Sequence, residues 1–182
     1  VETGFFVVLC RFGKGFEMTT QEGRPNDGAG GTLGDLAQGM SSQQLRAARR
    51  GAVQFLYAVD LKQQFFFVES DFRAFCTQAE VPADQMSFVR VLVQGTLEDL
   101  PAIDASIGAA ATNWRIERMG RVDLAILRVC SAELRLRPDF AMEVILADAA
   151  EIAREIGAEQ SSSFVNGVLD KVARELRPAA SR

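Results

Sequence analysis

Gly157-Ala158-Glu159-Gln160-Ser161-Ser162-Ser163-Phe164-Val165-Asn166-Gly167-Val168-Leu169-Asp170-Lys171 reads as a helix end, a polar turn and the opening of a new helix. Gly157 stops the first helix in the manner of a glycine just past a C-terminus. The serines supply capping hydroxyls. Gly167 then stands inside an otherwise good helix, where it costs roughly 1 kcal/mol relative to alanine. The expected reason is close approach by a neighbouring helix, with Asn166 as a structural hydrogen-bonder.

Working back from this stretch, the texture is helical as far as Ser41. Alternating β patterns are missing, and Pro82, Pro101 and Pro138 fall where helices begin, end or kink. The pattern predicts a first helix over residues 42–61, capped by Ser41 or Ser42. Leu45, Ala48, Ala52, Phe55, Leu56 and Val59 form its core arc at roughly 100° per residue. Further helices are expected over residues 69–78, from 84 onward with a continuation begun by Pro101, and over residues 122–136, 140–156 and 162–176. Phe65-Phe66-Phe67 lies in a connection and is expected to be mostly buried. Phe140, Val144, Ile145, Ile152 and Ile156 are expected to face inward. The fold class is all-α, a compact bundle of about six to seven helices.

Residues 1–40 differ. Residues 19–34 are rich in Gly, Thr, Asp and Asn, with almost no large apolar side chain. Such a composition cannot offset its ordering entropy. Residues 1–40 read as a disordered tail or an over-extended start, with Met18 and Met40 as internal candidates for the first residue. Residues 41–178 form the folded domain, and residues 179–182 a short tail.

The 182 residues carry a net charge of −4 and 48% hydrophobic residues. Any nucleic-acid binding must come from a local basic patch. There is no histidine, and Cys10, Cys76 and Cys130 are scattered. Histidine-based catalysis and Cys/His zinc sites therefore have no residues to build them. Cys76 and Cys130 sit among apolar residues, as packed thiols do. No apolar run approaches the roughly twenty residues a membrane helix needs. No catalytic site, metal or cofactor is expected, and the cysteine usage suits a reducing cytoplasm.

Three stretches carry possible chemistry. Arg46, Arg49 and Arg50 lie at i, i+3, i+4 and share one helix face, with Tyr57 nearby. They suit a phosphate-and-base surface, and equally a solvated helix face. Ser161, Ser162 and Ser163 at a helix N-terminus suit a phosphate, and Phe164 an unpaired base. A serine cap followed by a core phenylalanine fits as well. Trp114-Arg115-Ile116-Glu117-Arg118-Met119-Gly120-Arg121 spaces arginines around a junction, for RNA or for salt bridges with Glu117 and Asp123. Glu133, in the middle of an apolar helix, is expected to be a buried or half-buried acid paired with an arginine or a helix terminus.

In order, these elements resemble the NusB family. The matching residues are Ala48-Arg49-Arg50-Gly51-Ala52-Val53-Gln54-Phe55-Leu56-Tyr57, Ile103-Asp104, Trp114, and Arg118-Met119-Gly120-Arg121-Val122-Asp123-Leu124-Ala125-Ile126-Leu127-Arg128. Glu133-Leu134, Ala150-Glu151-Ile152-Ala153-Arg154-Glu155-Ile156-Gly157 and Ser163-Phe164-Val165-Asn166-Gly167-Val168-Leu169-Asp170-Lys171 follow. The resemblance spans about residues 43–176. It implies two small helical subdomains and a transcription antitermination factor, not an enzyme. It also implies binding to boxA RNA of ribosomal RNA operons together with the ribosomal protein NusE, RNA polymerase and other Nus factors. Monomer and homodimer both remain open. With the Trp114 junction included, the candidate RNA-binding set is Arg46, Arg49, Arg50, Arg115, Arg118, Gln160, Ser162 and Phe164. The candidate partner side is Tyr57, Arg90 and Glu98. Departures are Ala147-Asp148 where the family usually has Asn-Glu, Gln160 where an acid is common, and no proline before the helix near Phe140-Ala141. A NusB-like module also resembles the N-terminal part of certain RNA cytosine methyltransferases, which carry a following domain with a catalytic cysteine. A helical interaction bundle without RNA binding is the third reading.

Overall fold

Ser41 opens the long helix of the bundle. Its side chain accepts from Gln44 N–H, and the Gln44 side chain accepts from Ser41 N–H, a reciprocal capping box. In the computed structural model, which describes residues 32–112, 114–138 and 140–177, this helix is α2 (Ser42–Lys62). It follows α1 (Leu33–Ala37) and precedes α3 (Glu69–Gln78), α4 (Ala83–Glu98) and α5 (Leu100–Ala110). A 3-10 turn (Ile116–Arg118) leads to α6 (Arg121–Leu136), α7 (Met142–Ile156) and α8 (Ser161–Leu176). No strand occurs among the described residues.

α6 is the hub. It packs against α2, α4, α5, α7 and α8. Leu124 to Leu134 are buried without a break, Arg128 and Glu133 included. α7 and α8, joined by a short turn, pack closely on each other, and α2 and α4 do the same. α4 approaches α6 closely at Gly95, where a Cβ would sit 2.7 Å from Leu136 Cδ1. Phe55, Phe72 and Phe75 fill the α2–α3 end with edge-to-face contacts at 5.6 and 5.3 Å.

The core arc of α2 is buried as the periodicity predicts. Several other expectations are corrected. Residues 33–40 are not tail: Thr32 and Asp35 form a capping box, and Leu33 and Ala37 are buried, with α1 packed on α4. The earlier residues of that region lie outside the described residues. Phe66 is 54% exposed, because Phe65 and Phe67 flank it on the packed side. Val144 is exposed. Phe140 precedes α7, its ring centroid 3.7 Å from the Arg137 guanidinium carbon.

Gly157 ends α7, but not through a left-handed backbone: its φ is −92°. Crowding makes glycine necessary, since a Cβ would fall 2.5 Å from the Ala153 carbonyl oxygen and 2.6 Å from Ser161 Cβ. Gly167 is the reverse case. Nothing stands within 4 Å of where its Cβ would be, and it and Asn166 are exposed. No neighbouring helix demands the glycine there.

Candidate nucleic-acid interface

The three arginines of α2 part company. Arg49 turns inward and is fully buried. Its Nε and Nη2 donate to Glu133 of α6 at 2.6 and 2.7 Å, and its Nη1 donates to Asp148 of α7 at 2.5 Å. Arg137 adds a 2.9 Å bond to Glu133. Arg49 therefore leaves the candidate RNA set: it ties three helices together beneath the surface. A buried acid is satisfied only by such pairing, and Glu133 has found the arginine partner expected of it.

Arg46 and Arg50 stay at the surface, each roughly two-fifths exposed or more, and both lean on α7. Arg46 Nε donates to Asp148 Oδ1 at 2.8 Å, and Arg50 Nη1 to Glu155 Oε2 at 3.2 Å. The Asp148 hydrogen bond, with the charges of Glu151 and Glu155, holds the Arg46 pKa above its ordinary value. Asp148 thus occupies both its oxygens, one on the buried arginine and one on the surface arginine. The Ala147-Asp148 departure keeps an acid where the network needs one. The Arg50–Glu155 pair is exposed on both sides and contributes about 0–1 kcal/mol, so an incoming phosphate can replace Glu155, whereas Asp148 is buried beneath Arg46.

Glu155 lies two residues before Gly157, so Arg50 is joined to the last turn of α7, next to the α7–α8 turn. There Ser161 is buried, and its Oγ accepts from Ala158 N–H at 2.9 Å. Ser163 Oγ donates to the Gln160 carbonyl at 3.0 Å. Gln160 is exposed and Ser162 half-buried. α8 has no acidic residue in its first turn, so the positive end of its dipole and its unpaired N–H groups are not neutralised. Phe164 is half-buried, packed against the core on one side. The serine cap is not formed: Ser161 is buried, but its Oγ serves the preceding turn and no N–H of α8.

Phe164 also meets Trp114, ring centroids 5.6 Å apart and planes at 65°. That contact brings the third stretch to the second. Arg115 and Arg118 are exposed beside it. Arg115 pairs loosely with Glu117 at 3.4 Å, and Arg118 makes no ion pair among the described residues. Arg121 turns away to Asp60 of α2, not to Asp123. Trp114 itself was absent from the candidate set, although it is the single tryptophan and sits beside an arginine.

On the candidate partner side, Arg90 is engaged within the fold. It pairs with Glu69 of α3, and its guanidinium carbon lies 5.0 Å from the Phe72 ring centroid. Tyr57 is half-buried against the core, and Glu98 is exposed at the end of α4. Burial pushes the Cys76 thiol up to about 11 and the Cys130 thiol further, so neither is a nucleophile at neutral pH. Among the described residues no group of acids and cysteines is placed to hold a metal, and no helix is long and apolar enough to cross a membrane.

Known proteins resemble this chain in sequence and fold. Residues 46–174 match the NusB family. The transcription antitermination protein NusB of Sorangium cellulosum is 42% identical over 131 residues, covering 70% of this chain and 90% of the relative. That of Anaeromyxobacter dehalogenans is 39% identical, covering 77% of this chain and 96% of the relative. Among solved structures, T. maritima NusB superposes with a TM-score of 0.62 at 28% identity, over 71% of this chain and 90% of that one. A crystal structure of NusB and NusE in complex with dsRNA shares the fold with a TM-score of 0.64 at 23% identity, over 73% of this chain and 98% of that one. The family match begins in α2 and ends in α8, leaving only α1 of the described helices outside, and this chain belongs to the NusB family.

Proposed function

We propose that this chain is a transcription antitermination factor that binds boxA RNA of ribosomal RNA operons together with NusE. It acts by binding, in the cytoplasm, within an assembly of RNA polymerase and other Nus factors. One observation supports the RNA reading above the rest. Arg46 and Arg50 of α2 pair with Asp148 and Glu155 of α7, and Glu155 stands in the last turn before the segment where Gln160, Ser162 and Phe164 are accessible. Cationic side chains, uncapped helix N–H groups and a half-exposed ring serve phosphates and a base respectively. Arg115 and Arg118 extend the same chemistry past Phe164.

Tyr57 and Glu98 remain the proposed contacts for NusE. Arg90 shapes that side indirectly, by joining α3 to α4 through Glu69. The test is a titration of labelled boxA RNA and a scrambled control with this chain, with and without NusE. Preference for boxA that strengthens when NusE is present is the expected result. Equal affinity for both RNAs with NusE present would sink the reading.

A further inference from the structure

We infer that Trp114 stacks on an unpaired base of the bound RNA, extending the aromatic platform begun by Phe164. This rests on the RNA-binding reading above and adds a contact to it. Trp114 is 56% exposed, although large apolar rings ordinarily bury most of their surface.

The exposure does not come from a loose chain end. Trp114 N–H donates to the Ala111 carbonyl at 2.8 Å, closing the turn after α5. Lys171 Nζ of α8 donates to the Ala110 carbonyl at 3.1 Å and ties that turn to the next helix. Ile116 packs on the core two residues on, 3.6 Å from where a Cβ on Gly108 would be. The ring is thus presented outward from an anchored turn.

Its contact with Phe164 is tilted edge-on at 65°. Such a pair uses one ring's edge and one ring's face, which leaves aromatic surface for a further planar partner. The surroundings choose between a base and a protein side chain. Arg115 follows Trp114 directly and Arg118 lies four residues on, both exposed, and Arg118 makes no ion pair among the described residues. Guanidinium groups next to an exposed ring match the phosphates that accompany every base. Stacking is sequence-tolerant, so Trp114 adds affinity while discrimination rests elsewhere.

The chain holds one tryptophan, so 5-fluorotryptophan labelling gives a single 19F resonance that reports on this ring alone. Titrating the full chain, in complex with unlabelled NusE, with boxA RNA should shift that resonance. The shift should saturate at the concentration where RNA anisotropy does. Trp114→Ala should weaken RNA binding roughly 5- to 150-fold, with an unchanged far-UV spectrum, and Trp114→Phe should recover most of the loss. RNA that binds while the resonance stays still, or Trp114→Ala that binds RNA as the unaltered chain does, would overturn the inference and leave the RNA reading standing. A shift produced by NusE alone, with RNA adding nothing, would assign the ring to a protein surface. Failure of boxA RNA to bind at all would remove both.

Discussion

Arg46 and Arg49 lie three residues apart and do different work. Replacing Arg49 by methionine keeps much of its volume but leaves buried Glu133 with Arg137 alone and buried Asp148 with Arg46 alone. Breaking a buried pair in this way costs about 3–5 kcal/mol. Arg46→Ala takes one bond from the buried Asp148 but leaves it Arg49, so it should cost less, about 1.5–3 kcal/mol, yet weaken RNA binding. Urea unfolding and RNA titration on the two variants check both halves. A stable Arg49→Met, or an Arg46→Ala that is destabilised as much, would contradict the division. This difference was legible in part. At roughly 100° per residue, Arg49 falls about 40° from Leu45, just past the edge of the core arc at Leu56, while Arg46 and Arg50 fall well outside it. An acid in the middle of an apolar helix was equally visible. What spacing could not give was that Glu133 and Asp148, both far along the chain, converge on Arg49.

At the scale of elements, the turn between α7 and α8 holds the candidate RNA groups in register with α2. Gly157→Ala would press a methyl group against the Ala153 carbonyl and Ser161. The backbone must then shift, at a cost of about 1–3 kcal/mol, and Ser162 and Phe164 move with it. A thermal melt and an RNA titration should therefore both register the change. Gly167→Ala, which meets open space, should leave folding intact or slightly improve it, and serves as the control. Equal responses from the two glycines would refute the crowding argument. Most helix boundaries were readable to within a residue or two, because caps and prolines mark them locally. α1 was not, since its glycine-rich neighbourhood outweighed Leu33, Leu36 and the Thr32–Asp35 cap. The meeting of Trp114 with Phe164 was hidden too, for it depends on how α5 and α8 pack around α6.

For the whole molecule, net charge gives no attraction to RNA, so recognition must be local and its salt dependence small. Each phosphate neutralised on a single strand contributes about −0.7 to the slope of log affinity against log salt. The direct test is the salt dependence of boxA RNA binding, with NusE present, for the unaltered chain and for the Arg46→Ala/Arg50→Ala double variant. The account predicts weaker binding by the double variant and a slope flattened by about 1.4, with the fold retained. An unaltered slope and affinity would place the RNA surface elsewhere and contradict the account.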